Sequence, residues 1–196
     1  MIIPAPFERG VKIPGQVSIG FQLGASTASR CWPVSHYVQL ARQLVSTFSA
    51  VKIVLIGGET DRGRAEQFMR DIGTELAGRI DDRIGKTGLQ QLISLIDGFD
   101  LLVTGDTGPL HLAVALKVKT VSLFVTADPR TTGPIQDVEL HRIIHVSRTG
   151  YTMPQEAEGP MGVIQPQRVY DEVVDHLQLT HSPDALAPDR SSAQAG

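Results

Sequence analysis

Residues 101–124 read LLVTGDTGPLHLAVALKVKTVSLF. Leu101–Thr104 is an apolar run with no polar alternation, as in a strand buried on both faces. Pro109–Leu116 is rich in helix formers, and Thr120–Phe124 is a second β-rich apolar run. Strand, helix and strand in direct succession predict a parallel pair joined by a crossover helix. Between the first strand and the helix stand Asp106, Thr107, Gly108 and Pro109. Thr107 or Gly108 suits a helix N-cap, and Pro109 suits the first turn, where its missing N–H is not needed.

The same alternation continues outward. VSIGFQL (17–23) reads as a strand. Pro33 and Ser35 then open a helix with Tyr37, Leu40, Ala41, Leu44, Val45 and Phe48 on one face, at a period near 3.6. VKIVLIGG (51–58) is a central strand ending in two glycines. Ala65, Phe68, Met69, Ile72 and Leu76 mark one helix, and a short strand is expected near Arg79–Asp82. Leu89, Leu92, Ile93 and Ile96 mark another helix. HRIIHV (141–146) is read as the last strand and 166–178 as a closing helix. This order predicts an α/β fold, a Rossmann-like doubly wound parallel sheet. Ligands of such sheets bind beyond the carboxyl ends of the strands. The loops to watch are therefore 24–34, 57–62, 84–88, 105–109 and 125–134.

Composition narrows the function. The chain has 196 residues and a formal charge of −3, and 41% of its residues are hydrophobic. That suits one globular domain. The negative charge and the lack of a basic, aromatic-laced stripe argue against nucleic acid as a partner. A single cysteine, Cys31, allows no internal disulfide and fits a reducing compartment. No apolar run reaches the roughly 20 residues of a membrane span. The start, MIIPAPFERG, has neither the charged nor the apolar region of a signal peptide. Residues 1–16 read as a linker or extended arm, 17–179 as the folded domain, and 180–196 as a disordered tail.

Several motifs fail. A phosphate loop ending in Gly85-Lys86-Thr87 needs glycine at 80, where the chain has Ile80. A dinucleotide fingerprint starting at Gly57 needs glycines where Glu59 and Arg62 stand. The six histidines show no metal-ligand spacing, and no metal is expected. No serine sits in a nucleophile elbow. What remains is the mouth of the 109–116 helix. Its free N–H groups carry roughly half a positive charge and suit a diphosphate. Two roles stay open for Asp106: capping the loop amides or accepting from sugar hydroxyls. His111 lies in the first turn beside the same mouth.

The segment Asp106-Thr107-Gly108-Pro109-Leu110-His111-Leu112-Ala113 resembles the signature of glycosyltransferase family nine, the lipopolysaccharide heptosyltransferases. Gly24-Ala25-Ser26…Arg30-Cys31-Trp32-Pro33, Gly85-Lys86-Thr87…Leu89 and Thr132-Gly133-Pro134 resemble further family motifs, in order across about 17–146. The resemblance implies the C-terminal half of a GT-B glycosyltransferase. That half binds a nucleotide-diphosphate-sugar donor, usually ADP-heptose. An N-terminal domain or separate chain would hold the acceptor and the catalytic base. No cofactor is implied, since the donor is a substrate. A cytoplasmic location is implied, with peripheral contact at the inner membrane left open.

Carried over by position, Asp106, Thr107 and Gly108 would hold the diphosphate and sugar, with His111 beside them. Ser26 would lie at the phosphates, and Arg30 would stabilise the leaving group where the family usually has lysine. Glu59 would meet the ribose and Thr87 the adenine. Trp32 reads as packing. The pattern departs at Val125-Thr126-Ala127, where the family usually has Gly-Pro-Thr, and at Lys117 and Lys119, where it usually has Gly and Pro. A valine there puts close approach to the donor in question, and lysine suits a helix C-terminus electrostatically. These departures keep a second reading open, a non-catalytic module of the same fold serving assembly or regulation.

Overall fold

β1 (Val17–Gln22) lies at the centre of a six-stranded sheet whose strands are all parallel. The computed structural model describes residues 7–125, 127–147 and 159–178. The tail expected at 180–196 lies outside the described residues. In chain order the elements are β1, α1 (Val34–Thr47), β2 (Val51–Ile56), α2 (Arg62–Ile72), α3 (Thr74–Ala77), β3 (Ile80–Asp82) and α4 (Leu89–Asp97). There follow β4 (Leu101–Gly105), α5 (Gly108–Ala115), β5 (Lys119–Phe124), α6 (Pro129–Thr132), β6 (His141–His145) and α7 (Pro166–Gln178). The sheet order is β3-β2-β1-β4-β5-β6. The chain winds one way from β1 to β3, then returns past β1 to build β4 to β6. That reversal opens a crevice between the carboxyl ends of β1 and β4.

Both sheet faces are covered, which is why the strands read as unbroken apolar runs. Ile53 and Leu55 of β2 join one core with Leu40, Phe68 and Val173, so α1, α2 and α7 share that face. Val54 and Ile56 join the other with Ile93, Ile96, Leu112 and Ala113, from α4 and α5. Gly20 faces α4's side, where a Cβ would meet the Phe99 ring at 2.3 Å. The space a side chain would take is filled by that ring.

The single helix expected across Ala65–Leu76 is broken. Gly73 has φ +86°, a left-handed conformation that ends α2 and lets α3 start in a new direction. At the end of α5, Lys117 adopts φ +57°. Its N–H donates to Val114 O at 3.1 Å, and the Val118 N–H to Ala113 O at 2.9 Å. This is a Schellman closure with lysine in the position that glycine fills at least cost. The arm described from residue 7 lies against α4. Ser94 Oγ donates to Glu8 O at 2.5 Å, the Gly10 N–H to Asp97 at 2.7 Å, and Lys12 Nζ to Asp100 at 2.9 Å.

Candidate functional site

The crevice at the β1/β4 switch point encloses about 480 Å³. Three connections build it: the loop after β1, the turn after β2, and the turn from β4 into α5. Ser26, Arg30, Asp106, Thr107, Gly108 and His111, which the sequence singled out from two distant segments, all line it.

Thr107 is the N-cap of α5, extended at φ −142°, ψ 166°, but its side chain caps nothing. Its hydroxyl pairs with Thr104 Oγ1 at 3.0 Å instead. The cap side chain therefore leaves the Gly108 N–H uncovered, while Pro109 has no N–H and the Leu110 N–H donates to Thr107 O at 3.1 Å. At Gly108 an added Cβ would meet no atom within 4 Å, so space opens directly over the helix start. An anion placed there would face the positive end of the helix.

Arg30 enters from the β1–α1 loop and pairs with Asp106, Nη2 to Oδ2 at 3.2 Å. Arg30 is 36% exposed at its side chain and Asp106 11%. The guanidinium thus has one edge on a sheltered carboxylate and the rest toward the crevice. Behind the pair is a small hollow bordered by Leu123, Val125 and Met161.

The other wall carries an acid that the sequence reading passed over. Asp61 lines the crevice, and its Oδ2 accepts from the Gly58 N–H at 2.9 Å. A Cβ on Gly24 would stand 2.0 Å from the Asp61 carboxyl group, and one on Gly57 would stand 2.7 Å from it. Two glycines at the ends of neighbouring strands make room for this carboxylate. The sequence signal was the pair of glycines together with an acid three residues after Gly58.

Glu59 and Thr87 are not brought into this crevice. The Glu59 side chain is 75% exposed and lies 3.7 Å from Arg62, leaning toward Gly85 and the loop after β3. Arg62 holds that loop by bonds to Asp82 at 2.8 Å and to the carbonyl of Ile84. Thr87 lies on the wall of a separate groove of about 940 Å³, between the N-terminal arm, α4 and the β3 edge. Glu59 is the acid nearer the glycine pair in sequence, but the tight Gly58–Asp61 turn sends Asp61 inward.

Val125 does not obstruct the site. It is buried, 5% exposed, and packs with the core rather than into the crevice. Its φ is not positive, so the β-branch imposes no strain there. Trp32 is packing, as read: its Nε1–H donates to Ile164 O at 2.8 Å and its ring lies edge-on to Tyr37. Cys31 is half-buried. Among the described residues no three of His, Cys, Asp or Glu converge as a metal set, and no helix is long and apolar enough to cross a membrane.

Comparison with known proteins places this geometry in context. The family profile of Glycosyltransferase family 9 (heptosyltransferase) matches residues 11–158. Lipopolysaccharide heptosyltransferase 2 of Escherichia coli (strain K12) is 31% identical over 162 residues, covering 79% of this chain and 45% of that protein. Lipooligosaccharide heptosyltransferase 2 of Haemophilus influenzae is 31% identical over 133 residues, covering 67% of this chain and 38% of that protein. The solved structure of E. coli ADP-heptose lps heptosyltransferase II matches with a TM-score of 0.75 at 27% identity, covering 87% of this chain and 49% of that one. A family 9 glycosyl transferase from Veillonella parvula DSM 2008 shares the fold, with a TM-score of 0.70 at 21% identity over 85% of this chain and 48% of that one. The chain spans about half the length, or less, of the relatives it matches.

Proposed function

The chain belongs to glycosyltransferase family 9, and on that premise we propose that it is the donor-binding half of an inverting heptosyltransferase. The donor is a nucleoside-diphosphate heptose of the kind named for the E. coli structure, ADP-heptose. The observation that carries this reading is the crevice at the β1/β4 switch point, with Arg30 on one side and the uncapped start of α5 on the other.

The chemistry follows from charge. An acceptor hydroxyl attacks the anomeric carbon from the face opposite the diphosphate. The new C–O bond forms as the bond to the leaving phosphate oxygen breaks, and the hydroxyl proton passes to a base. Negative charge grows on the diphosphate as it departs. Arg30, the Gly108 N–H and the positive end of α5 face that charge and lower its energy. No cofactor is required for this. Asp61 is the carboxylate suited to the ribose hydroxyls, in place of Glu59, because it reaches into the crevice. Asp106 accepts from sugar hydroxyls once Arg30 turns to phosphate. The base and the acceptor site belong to a facing N-terminal domain or partner chain.

Thermal unfolding with ADP, UDP and GDP tests the reading. At about 100-fold excess over the dissociation constant, ADP adds about 2.7 kcal/mol to the stability of the fold. Absence of a shift with all three nucleotides sinks the donor-binding role and leaves the assembly module.

A further inference from the structure

The loop from Gly24 to Cys31 carries Ser26 and Arg30 to the crevice, yet residues 26–29 are exposed and make little contact with the core. Inside it run short turn bonds, from the Arg30 N–H to Thr27 O at 3.1 Å and from the Cys31 N–H to Ala28 O at 3.0 Å. Such bonds hold a turn but do not aim it. The Arg30–Asp106 pair ties down one end of the loop and Gln22 Nε2 donates to Gly24 O at 2.9 Å at the other, and the stems beyond are fastened too. Tyr37 donates to Gln22 O at 2.5 Å beneath the first stem, and Trp32 donates to Ile164 O beyond the second.

One side chain from another element joins the two stems to each other. Arg64, in the first turn of α2, donates from Nε to Leu23 O at 2.8 Å and from Nη2 to Trp32 O at 2.5 Å. Leu23 is the residue before the loop and Trp32 the residue after it. A planar guanidinium keeps its donors at a fixed spacing, so both carbonyls are held at a fixed separation. Hydrogen bonds from a charged donor are the stronger kind, and these are partly buried. Lysine can turn two of its three N–H bonds to the same carbonyls, but from one atom on a flexible stem, so it holds them less firmly than the planar fork does.

We propose that Arg64 is a positioning residue, a staple across the stems of the β1–α1 loop that sets where Ser26 and Arg30 stand relative to the start of α5. It touches no reacting group. Its ligand consequence rests on the diphosphate reading above; the staple itself does not.

The test uses the full chain as wild type, Arg64→Lys and Arg64→Met. Amide hydrogen exchange is followed at Arg30 and Cys31, with Leu44 in α1 as internal reference. Loss of the staple speeds exchange at Arg30 and Cys31 about tenfold relative to Leu44 in Arg64→Met, with Arg64→Lys between the two. In parallel, Arg64→Lys weakens ADP while adenosine keeps its wild-type affinity, a split that general destabilisation does not produce. Equal relative exchange in wild type and Arg64→Lys overturns the staple, as does equal loss of ADP and adenosine. If Arg64→Met does not fold, Arg64→Lys decides alone. If wild type binds neither nucleotide, the diphosphate reading fails, and the exchange data still decide the staple.

Discussion

Arg30 Nη2 stands 3.2 Å from Asp106 Oδ2, so an arginine of the crevice and a sheltered carboxylate neutralise each other across the mouth of α5. A diphosphate arriving there takes the guanidinium from the carboxylate. Replacing Arg30 with alanine therefore costs ADP at least about tenfold in affinity and adenosine almost nothing, since charged hydrogen bonds of this kind contribute about 1.5–3 kcal/mol. Replacing Asp106 with asparagine acts in the opposite direction. It removes a repelling charge and frees Arg30, so ADP binds about two- to fivefold tighter, within the range of a partly exposed ion pair. The donor sugar loses an acceptor in the same variant, so the advantage of ADP-heptose over ADP shrinks. Calorimetric titration of the three ligands reads all of these effects. An Asp106→Asn variant that weakens ADP contradicts the exchange of partners.

Asp61 and Glu59 separate two readings of the turn after β2. Only Asp61 reaches the crevice, through the gap left by Gly24 and Gly57. Asp61→Asn is expected to weaken ADP about tenfold and to erase its preference over 2′,3′-dideoxy-ADP. Glu59→Gln leaves both affinities unchanged. The reverse pattern restores Glu59 as the ribose contact.

The contrast shows what the sequence made legible. The sheet was readable because its strands are covered on both faces and carry no polar interruptions. The start of α5 after β4 was readable because Gly108-Pro109 is a local feature, whereas the turn of the Thr107 hydroxyl to Thr104, which leaves the cap empty, was not. Asp61 was hidden because its place depends on two missing Cβ atoms, one on β2's end and one across the sheet after β1. Thr87 stands on a separate groove because the loop after β3 turns at Gly85, φ +69°, and is held by Arg62, a long-range tie that the sequence does not display. Val125 looked obstructive by its type alone, but its burial turns the branch into the core.

Lys117 was read as a favourable charge at a helix end, yet its backbone is left-handed. An L-residue pays about 1 kcal/mol for that conformation, and glycine does not. Its ion pair with Asp137, at 3.3 Å and largely exposed, returns little. Lys117→Gly should therefore raise the stability of the fold by about 0.5–1 kcal/mol with ADP affinity unchanged. Urea unfolding checks this; a lower midpoint for the glycine variant refutes the assignment.

His141 and His176 connect stability to pH. Burial pushes both imidazoles below their ordinary value of 6.5. Asp137 and Glu139 oppose the shift at His141; at His176 the bond to Leu140 O opposes it, and Lys119 and Arg142 add to it. His141 Nδ1 pairs with Thr120 Oγ1 at 3.0 Å, and His176 Nε2 with Leu140 O at 2.9 Å. The fold favours the neutral rings, so below 6.5 the unfolded chain binds more protons than the folded one. Stability is then full above 6.5 and falls as the pH drops through the interval down to the folded values. Urea midpoints between about pH 5 and pH 8 should show this slope, flattened in His141→Asn and His176→Gln. An unchanged slope in both variants assigns it to other groups.

The proposed seat of the nucleoside diphosphate lies between Arg30 and the start of α5. Titration of ¹⁵N-labelled chain with ADP measures that location residue by residue. Binding there gives saturable shifts at the amides of Ser26, Arg30, Gly108 and His111, with the groove around Thr87 and Arg79 silent. Shifts confined to that groove, or none at any amide, contradict it.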